Sequence, residues 1–212
     1  MLQLYFSPLA CSLSSRIALM EAGLEARYHQ VHLLTKTRVE DDADFRAVAP
    51  KGAVPLLVLE NGEHLTESAA VLQYIADAKP EAGLAPRLGD PDRYRLQEWL
   101  SFIGTEIHKA FLFPTFWYKD EGSLAKPRAR IAQTLAVPAA HLADREFLVG
   151  NGFTVADAHL AWALLLLRPA GVDISQFPSL ALYLERMQAR PAVKEAIATE
   201  MALRKAVTES AA

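Results

Sequence analysis

The 212-residue chain has a single cysteine, Cys11. One thiol cannot close an internal disulfide or build a cysteine zinc cage. Long apolar runs are missing too. The longest, Leu160 to Leu167, falls far short of the ~18 residues a membrane span requires. No Lys or Arg precedes Arg16, so the sequence offers no basic region of a secretory leader. Neither sign of charge dominates. The 22 Lys and Arg against 25 Asp and Glu give a net charge of −3, which leaves no electrostatic footprint for nucleic acid or an anionic membrane. No phosphate-binding Walker loop, no GxSxG elbow and no HExxH pair is present. Internal repeats and low-complexity stretches are also absent. What remains is an ordinary globular composition, 51% hydrophobic and 22% charged, which argues against disorder. A chain of this size buries roughly 70% of its unfolded surface. The expectation is a cytoplasmic globular protein that uses no metal.

Prolines 80, 86 and 91 and glycines 83 and 89 interrupt regular structure and predict a linker over 81–91. It would separate an N-terminal domain, 1–80, from a C-terminal one, 92–212. Residues 1–80 carry 7 Lys and Arg against 10 Asp and Glu; residues 81–212 carry 15 of each. The N-terminal side alternates element types. Leu2 to Phe6 predicts a strand. Ser12 to Ala22, closed by Gly23, predicts a helix. Tyr28 to Leu34 predicts a second strand, Val39 to Val48 a helix, and Val54 to Glu60 a strand. The turn pair Asn61-Gly62 leads into a short strand at His64 to Thr66, and Ser68 to Ala78 predicts a helix. The order is β-α-β-α-β-β-α. The C-terminal side predicts helices only: Asp92 to Phe111, Leu124 to Ala143, Val155 to Leu167, Ser179 to Ala189 and a shorter one after Pro191. Val155 to Leu167 is apolar nearly all round and predicts the buried central helix.

Several motifs read best as structure. Gly150-Asn151-Gly152 lacks the third glycine of a dinucleotide fingerprint, because Val155 stands there. His29 and His32 fall on opposite faces of a strand and cannot share a metal. Thr154 and Asp157 have the spacing of a helix capping box, so Asp157 is a structural acid more readily than a catalytic one. Cys11 is different. It lies between a strand and a helix, where unpaired amides and the helix dipole favour a thiolate or a hydrogen bond to one. With no resolving cysteine it needs an external thiol for redox work. Val54-Pro55 enters a strand, and Pro cannot donate to the ladder there. Ser68 at a helix start serves as a cap or as part of a carboxylate site.

Ser7-Pro8-x-x-Cys11-Ser12 at a helix start, Pro50-Lys51-Gly52-x-Val54-Pro55 before a strand, Thr66-Glu67-Ser68 at another helix start and Phe153-Thr-Val-Ala-Asp157 in an all-helical half form an ordered set. That set resembles the bacterial glutathione S-transferases, the beta class most closely, over essentially the whole chain. The resemblance implies a thioredoxin-like α/β N-terminal domain, an all-α C-terminal domain and a homodimer. It implies that Cys11 faces the glutathione sulfur and can form a mixed disulfide with it, with Ser12 as a neighbouring hydroxyl. Val54 would pair its backbone with the cysteinyl unit of glutathione ahead of a cis Pro55. Glu67 and Ser68 would hold the γ-glutamyl end, and Lys36 and Lys51 would lie near the glycyl carboxylate. Ser101, Thr105 and His108 step by four and three along one helix face; similar proteins carry a cysteine-facing polar cluster there, with a His-Lys pair matching His108-Lys109. The class often has asparagine at the position of Ser101. Its usual tryptophan is replaced by Leu166, with Trp162 a turn earlier. Phe111, Phe113, Phe116, Trp117 and Tyr118 line an electrophile pocket or belong to the core.

Three functions follow from the resemblance. The first is conjugation of the glutathione thiolate to a small apolar electrophile, a detoxifying transferase reaction. The second is glutathione-dependent thiol-disulfide exchange through Cys11. The third is a non-catalytic binding scaffold on the same fold.

Overall fold

The computed structural model describes residues 1–118 and 121–210. In chain order the elements are β1 (Leu2–Phe6), α1 (Ser12–Ala22), β2 (Ala26–His32), β3 (Thr37–Arg38), β4 (Leu56–Val58), β5 (His64–Thr66), α2 (Ser68–Ala78), α3 (Pro91–Phe102), a π-helical stretch at Ile103–Leu112, α4 (Phe113–Trp117), α5 (Glu121–His141), α6 (Val155–Leu167), α7 (Pro178–Gln188) and α8 (Pro191–Ser210). They pack into two compact units. One holds Met1–Ala82 together with α8; the other holds Gly83–Arg190. The sequence reading placed α8 with the helical half, but its packing is against α1.

The first unit is built on a mixed sheet of order β3-β2-β1-β4-β5. β1 pairs parallel with β2 and antiparallel with β4, and β5 pairs antiparallel with β4. This is the thioredoxin-like arrangement. Both faces of β1 are covered, with Leu4 and Phe6 buried on one and Tyr5 on the other. Tyr5, Val31, Phe45, Val54 and Leu56 form one core cluster. That cluster anchors Val54, which matters for the site. α1 is buried along nine of its eleven residues, and its serines at 12, 14 and 15 let neighbouring elements approach closely. Gly23 closes it at φ 65°, a left-handed turn that glycine takes without steric cost.

The segment expected as a helix over Val39–Val48 folds otherwise. Turns after β3 and a single 3-10 turn at Phe45–Ala47 take its place. Asp41 accepts from the Ala43 amide and Asp44 from the Arg46 amide. Such side-chain bonds to nearby amides favour turns over helix, and within the segment only Phe45 is fully buried, with Val48 packed against the same core cluster.

In the second unit α6 is the buried central helix, as its apolar sequence predicts. Asp157 in its first turn accepts from the Thr154 amide and hydroxyl at 2.8 Å each, from the Leu148 amide at 2.9 Å and from the Tyr183 hydroxyl at 2.8 Å. Burial pushes its carboxyl upward against the lowering pull of these donors. The acid is a structural cap. The helix expected from Asp92 to Phe111 starts as α3 and widens to i→i+5 bonding at Ile103. The wider turn keeps residues four apart in line, and Ile103, Ile107 and Phe111 are all buried. α8 runs 20 residues, longer than expected. After Pro191 it contains no Gly or Pro and is rich in good helix formers.

Candidate functional site

The first unit gathers most of the residues singled out in the sequence. Cys11 is the N-cap residue of α1 and is nearly buried, at 7% exposure. Its Sγ donates to the Val54 carbonyl at 3.2 Å. Val54-Pro55 is a cis peptide bond. The segment 51–55 runs on from this contact to a polar cluster. Lys36 Nζ donates to the Gly52 carbonyl at 2.8 Å. Lys51 Nζ donates to Glu67 Oε1 at 2.7 Å and to Thr66 Oγ1 at 3.0 Å. Burial, aided by Arg46, lowers the Lys36 pKa.

Local backbone geometry sets these positions. Glu67 has φ 72° and is the N-cap residue of α2, with Ser68 the first helical residue. Lys36 has φ 61° and Leu9, two residues before Cys11, has φ 62°. Left-handed backbone at non-glycine residues is uncommon, and strain of this kind collects at functional sites. Gly52, at φ 57°, sits under Lys36: a Cβ there would lie 3.4 Å from Lys36 Cδ and from Arg46 Cγ. Ser12 is fully buried. Its hydroxyl accepts from the Ser7 amide at 3.2 Å and donates to the Ser7 carbonyl at 3.4 Å, so it shapes the loop that carries Cys11.

Ser101, Thr105, His108 and Lys109 stand in the second unit. Ser101 and Thr105 are exposed, and Thr105 Oγ1 donates to the Ser101 carbonyl at 3.0 Å. His108 is half-buried and meets Trp162 edge-on, ring centroids 4.9 Å apart. The polar face expected from α-helical spacing is thus divided between solvent and the Trp162 contact. Lys109 Nζ lies 4.7 Å from the centre of the Phe113 ring, and Phe113 stacks with Trp117 at 5.6 Å. Phe111 belongs to the core; Phe116 and Tyr118 are exposed. His29 lies between Glu40 and Gln3 at 2.8 and 2.9 Å. Among the described residues no group of three or more His, Cys, Asp or Glu could hold a metal ion. No described helix is long and apolar enough to cross a membrane.

The sequence reading missed Arg16 and Glu200. Glu200 of α8 is completely buried. Its Oε2 accepts from the Leu9 amide at 2.7 Å and its Oε1 from Arg16 Nε at 2.9 Å. The Arg16 guanidinium lies 4.4 Å from the Phe6 ring centre and 3.8 Å from that of Tyr28. A signal existed. Val193, Ala196 and Glu200 share one buried helical stripe, and an acid on such a stripe requires a partner.

The glutathione S-transferase N-terminal domain family matches residues 10–78, and its C-terminal domain family matches residues 102–191. Glutathione S-transferase GstA of Escherichia coli O157:H7 is 37% identical over 201 residues, 94% of this chain and 98% of the relative. A sphingomonad glutathione S-transferase solved with glutathione superposes with a TM-score of 0.89 at 41% identity, covering 93% of this chain and 98% of the other. A beta-class glutathione S-transferase of Sphingomonas chungbukensis gives 0.88 at 40% identity, with the same coverage. The chain belongs to the glutathione S-transferase family and is similar to its bacterial beta-class members.

Proposed function

We propose that this chain conjugates reduced glutathione to small apolar electrophiles. What carries the reading is the Cys11 Sγ–Val54 carbonyl contact at the start of α1, continued by segment 51–55 into the Lys36, Lys51 and Glu67 cluster. Those groups match the charges of a tripeptide with two carboxylates and one ammonium. Lys36 and Lys51 face the glycyl carboxylate. Glu67 and Ser68 hold the γ-glutamyl end, Ser68 partly through its amide at the start of α2. The Val54 backbone pairs with the cysteinyl unit, and cis Pro55 follows it. The glutathione sulfur then lies at Cys11.

A free thiol has a pKa of about 8.5, and each unit of depression needs about 1.4 kcal/mol of thiolate stabilisation. The dipole at the start of α1 supplies part of it, and the Cys11 thiol supplies the rest by turning its one S–H from the Val54 carbonyl to the glutathione sulfur. The thiolate attacks an electrophilic carbon, forms the C–S bond and expels the leaving group. Proximity supplies much of the remaining rate. His108, Lys109, Ser101 and Thr105 are proposed to serve the electrophile side. Residues 1–80 form the glutathione domain, 81–91 the linker and 92–212 the helical part, with α8 packing on the former. A homodimer, a cytoplasmic setting and a detoxifying role complete the reading.

Cys11→Ser tests the chemistry. Conjugation of glutathione to an aryl halide should survive in part, because Ser keeps a hydrogen-bond donor, while reduction of a glutathione mixed disulfide should vanish. Equal loss of both would assign Cys11 a covalent role in every turnover and overturn simple conjugation.

A further inference from the structure

Five of the chain's 18 aromatic residues fall within residues 111–118. Phe111 is taken into the core, but Phe113 and Trp117 are half-buried, and Phe116 and Tyr118 are exposed. Phe113 stacks with Trp117 at 5.6 Å and meets Tyr118 edge-on at 6.2 Å. Single exposed apolar residues are ordinary, whereas a contiguous exposed patch marks a surface that binds something.

One charge stands on this patch. Ser101, Thr105, Lys109, Phe113 and Trp117 follow one another at steps of four, so hydroxyls, an ammonium and then two rings succeed each other along the helical run. Lys109 Nζ lies 4.7 Å from the centre of the Phe113 ring. The nearby Glu106 is taken by Arg130 of α5 at 2.7 Å, and Lys109 has no ion pair among the described residues.

That charge decides what can dock. A ligand that covers Phe113 also strips water from the Lys109 ammonium. A neutral apolar ligand would leave the ammonium covered and unpaired, which is costly, and a cation would be repelled. A flat ring bearing one anionic group meets both demands. Its ring packs on the aromatic surface, and its anion makes a charge-assisted bond to Nζ.

We propose that this patch binds aromatic compounds carrying a carboxylate, and that the electrophile belongs to this class. The second half rests on the reading above that Lys109 serves the electrophile side. The reaction is then an aromatic substitution. The glutathione thiol gives its proton to water, and the thiolate forms the C–S bond at the ring carbon bearing the halogen. The carbon–halogen bond breaks, and halide leaves with the bonding pair.

Two electrophiles with one ring and one leaving group test this: 4-chloro-3,5-dinitrobenzoate and the neutral 4-chloro-3,5-dinitrobenzamide. Each kcat/KM is divided by that compound's uncatalysed rate constant with glutathione, which removes intrinsic reactivity. The expected result is a preference of about fivefold for the carboxylate in the wild type, falling to about one in Lys109→Gln and kept in Lys109→Arg. The preference is a ratio, so any general effect of the substitution on turnover cancels. Trp117→Leu should lower both compounds by a similar factor of about threefold. The proposal is overturned if the wild type shows no preference for the carboxylate, if Lys109→Gln leaves the ratio unchanged, or if Trp117→Leu affects neither compound. If neither compound is conjugated, the transferase reading fails and binding decides the patch. Quenching of tryptophan fluorescence by the unreactive 3,5-dinitrobenzoate and 3,5-dinitrobenzamide, without glutathione, reads it. The patch stands if the benzoate binds at least about threefold more tightly than the amide and loses that margin in Lys109→Gln; equal affinities, or a margin that survives Lys109→Gln, overturn it.

Discussion

Among the described residues each unit hides one carboxylate completely, Asp157 in the helical unit and Glu200 in the thioredoxin-like unit. Asp157 receives four donors, three of them within nine residues along the chain and the fourth from Tyr183. Glu200 receives two, from 191 and 184 positions away. The first fixes where a helix begins. The second fixes a loop that carries the only thiol. A buried acid with many local donors is a folding device; one with few and distant donors constrains a site.

Removing the first should give the largest effect on stability. Asp157→Ala strands the Leu148 and Thr154 amides and the Tyr183 hydroxyl. A loss on the order of 4 kcal/mol follows from leaving several buried donors without acceptors, which lowers Tm by roughly 8–16 °C in a chain of this size. Calorimetry or a thermal melt reads it. Binding of glutathione to the variant at low temperature should stay within about twofold of wild type. A large loss of affinity would break the distinction between the two acids.

A smaller effect separates the units by pH. His159 of α6 is fully buried, stacks on Trp162 at 5.5 Å, and has no hydrogen-bond partner for either ring nitrogen among the described residues. Burial, with help from His108, lowers its pKa from 6.5 to about 3. The unfolded chain binds a proton below 6.5 that the folded one refuses until about 3, so this group costs stability as pH falls through that window. His159→Leu should flatten the acid limb of the stability curve, measured by urea titration at pH 4 and pH 7, and should change stability at pH 7 by no more than about 1 kcal/mol. Glu200 runs the other way: its pKa is raised from 4.5 to about 7, so its contribution is present below 4.5 and lost as pH rises through 7. An acid limb unchanged in His159→Leu would contradict the assignment.

The same contrast explains what the sequence made legible. Helices whose ends carry local signals could be read closely: Gly23 after α1, Ser68 opening α2, and Thr154 with Asp157 opening α6. Val39–Val48 could not, because its aspartates bond their own neighbours' amides and turn the chain. The widening at Ile103 could not either, since nothing in Ser101–Leu112 announces i→i+5 bonding. Most of the proposed glutathione site was legible as motifs, since Cys11, Lys51, Val54 and Glu67 sit at element ends with recognisable spacing. Glu200 was not. A helix stripe shows only that an acid is buried, and the partner that explains it lies at the other end of the chain.

The central claim is that the first unit holds glutathione through the residues around Cys11, Val54, Lys51 and Glu67. Titration calorimetry of reduced glutathione onto reduced protein, run beside Lys51→Ala, tests it most directly. The account predicts a Kd between micromolar and millimolar for the wild type, weakened about tenfold in Lys51→Ala by loss of a charge-assisted contact. No detectable heat at several temperatures, or identical affinity in the variant, would contradict it.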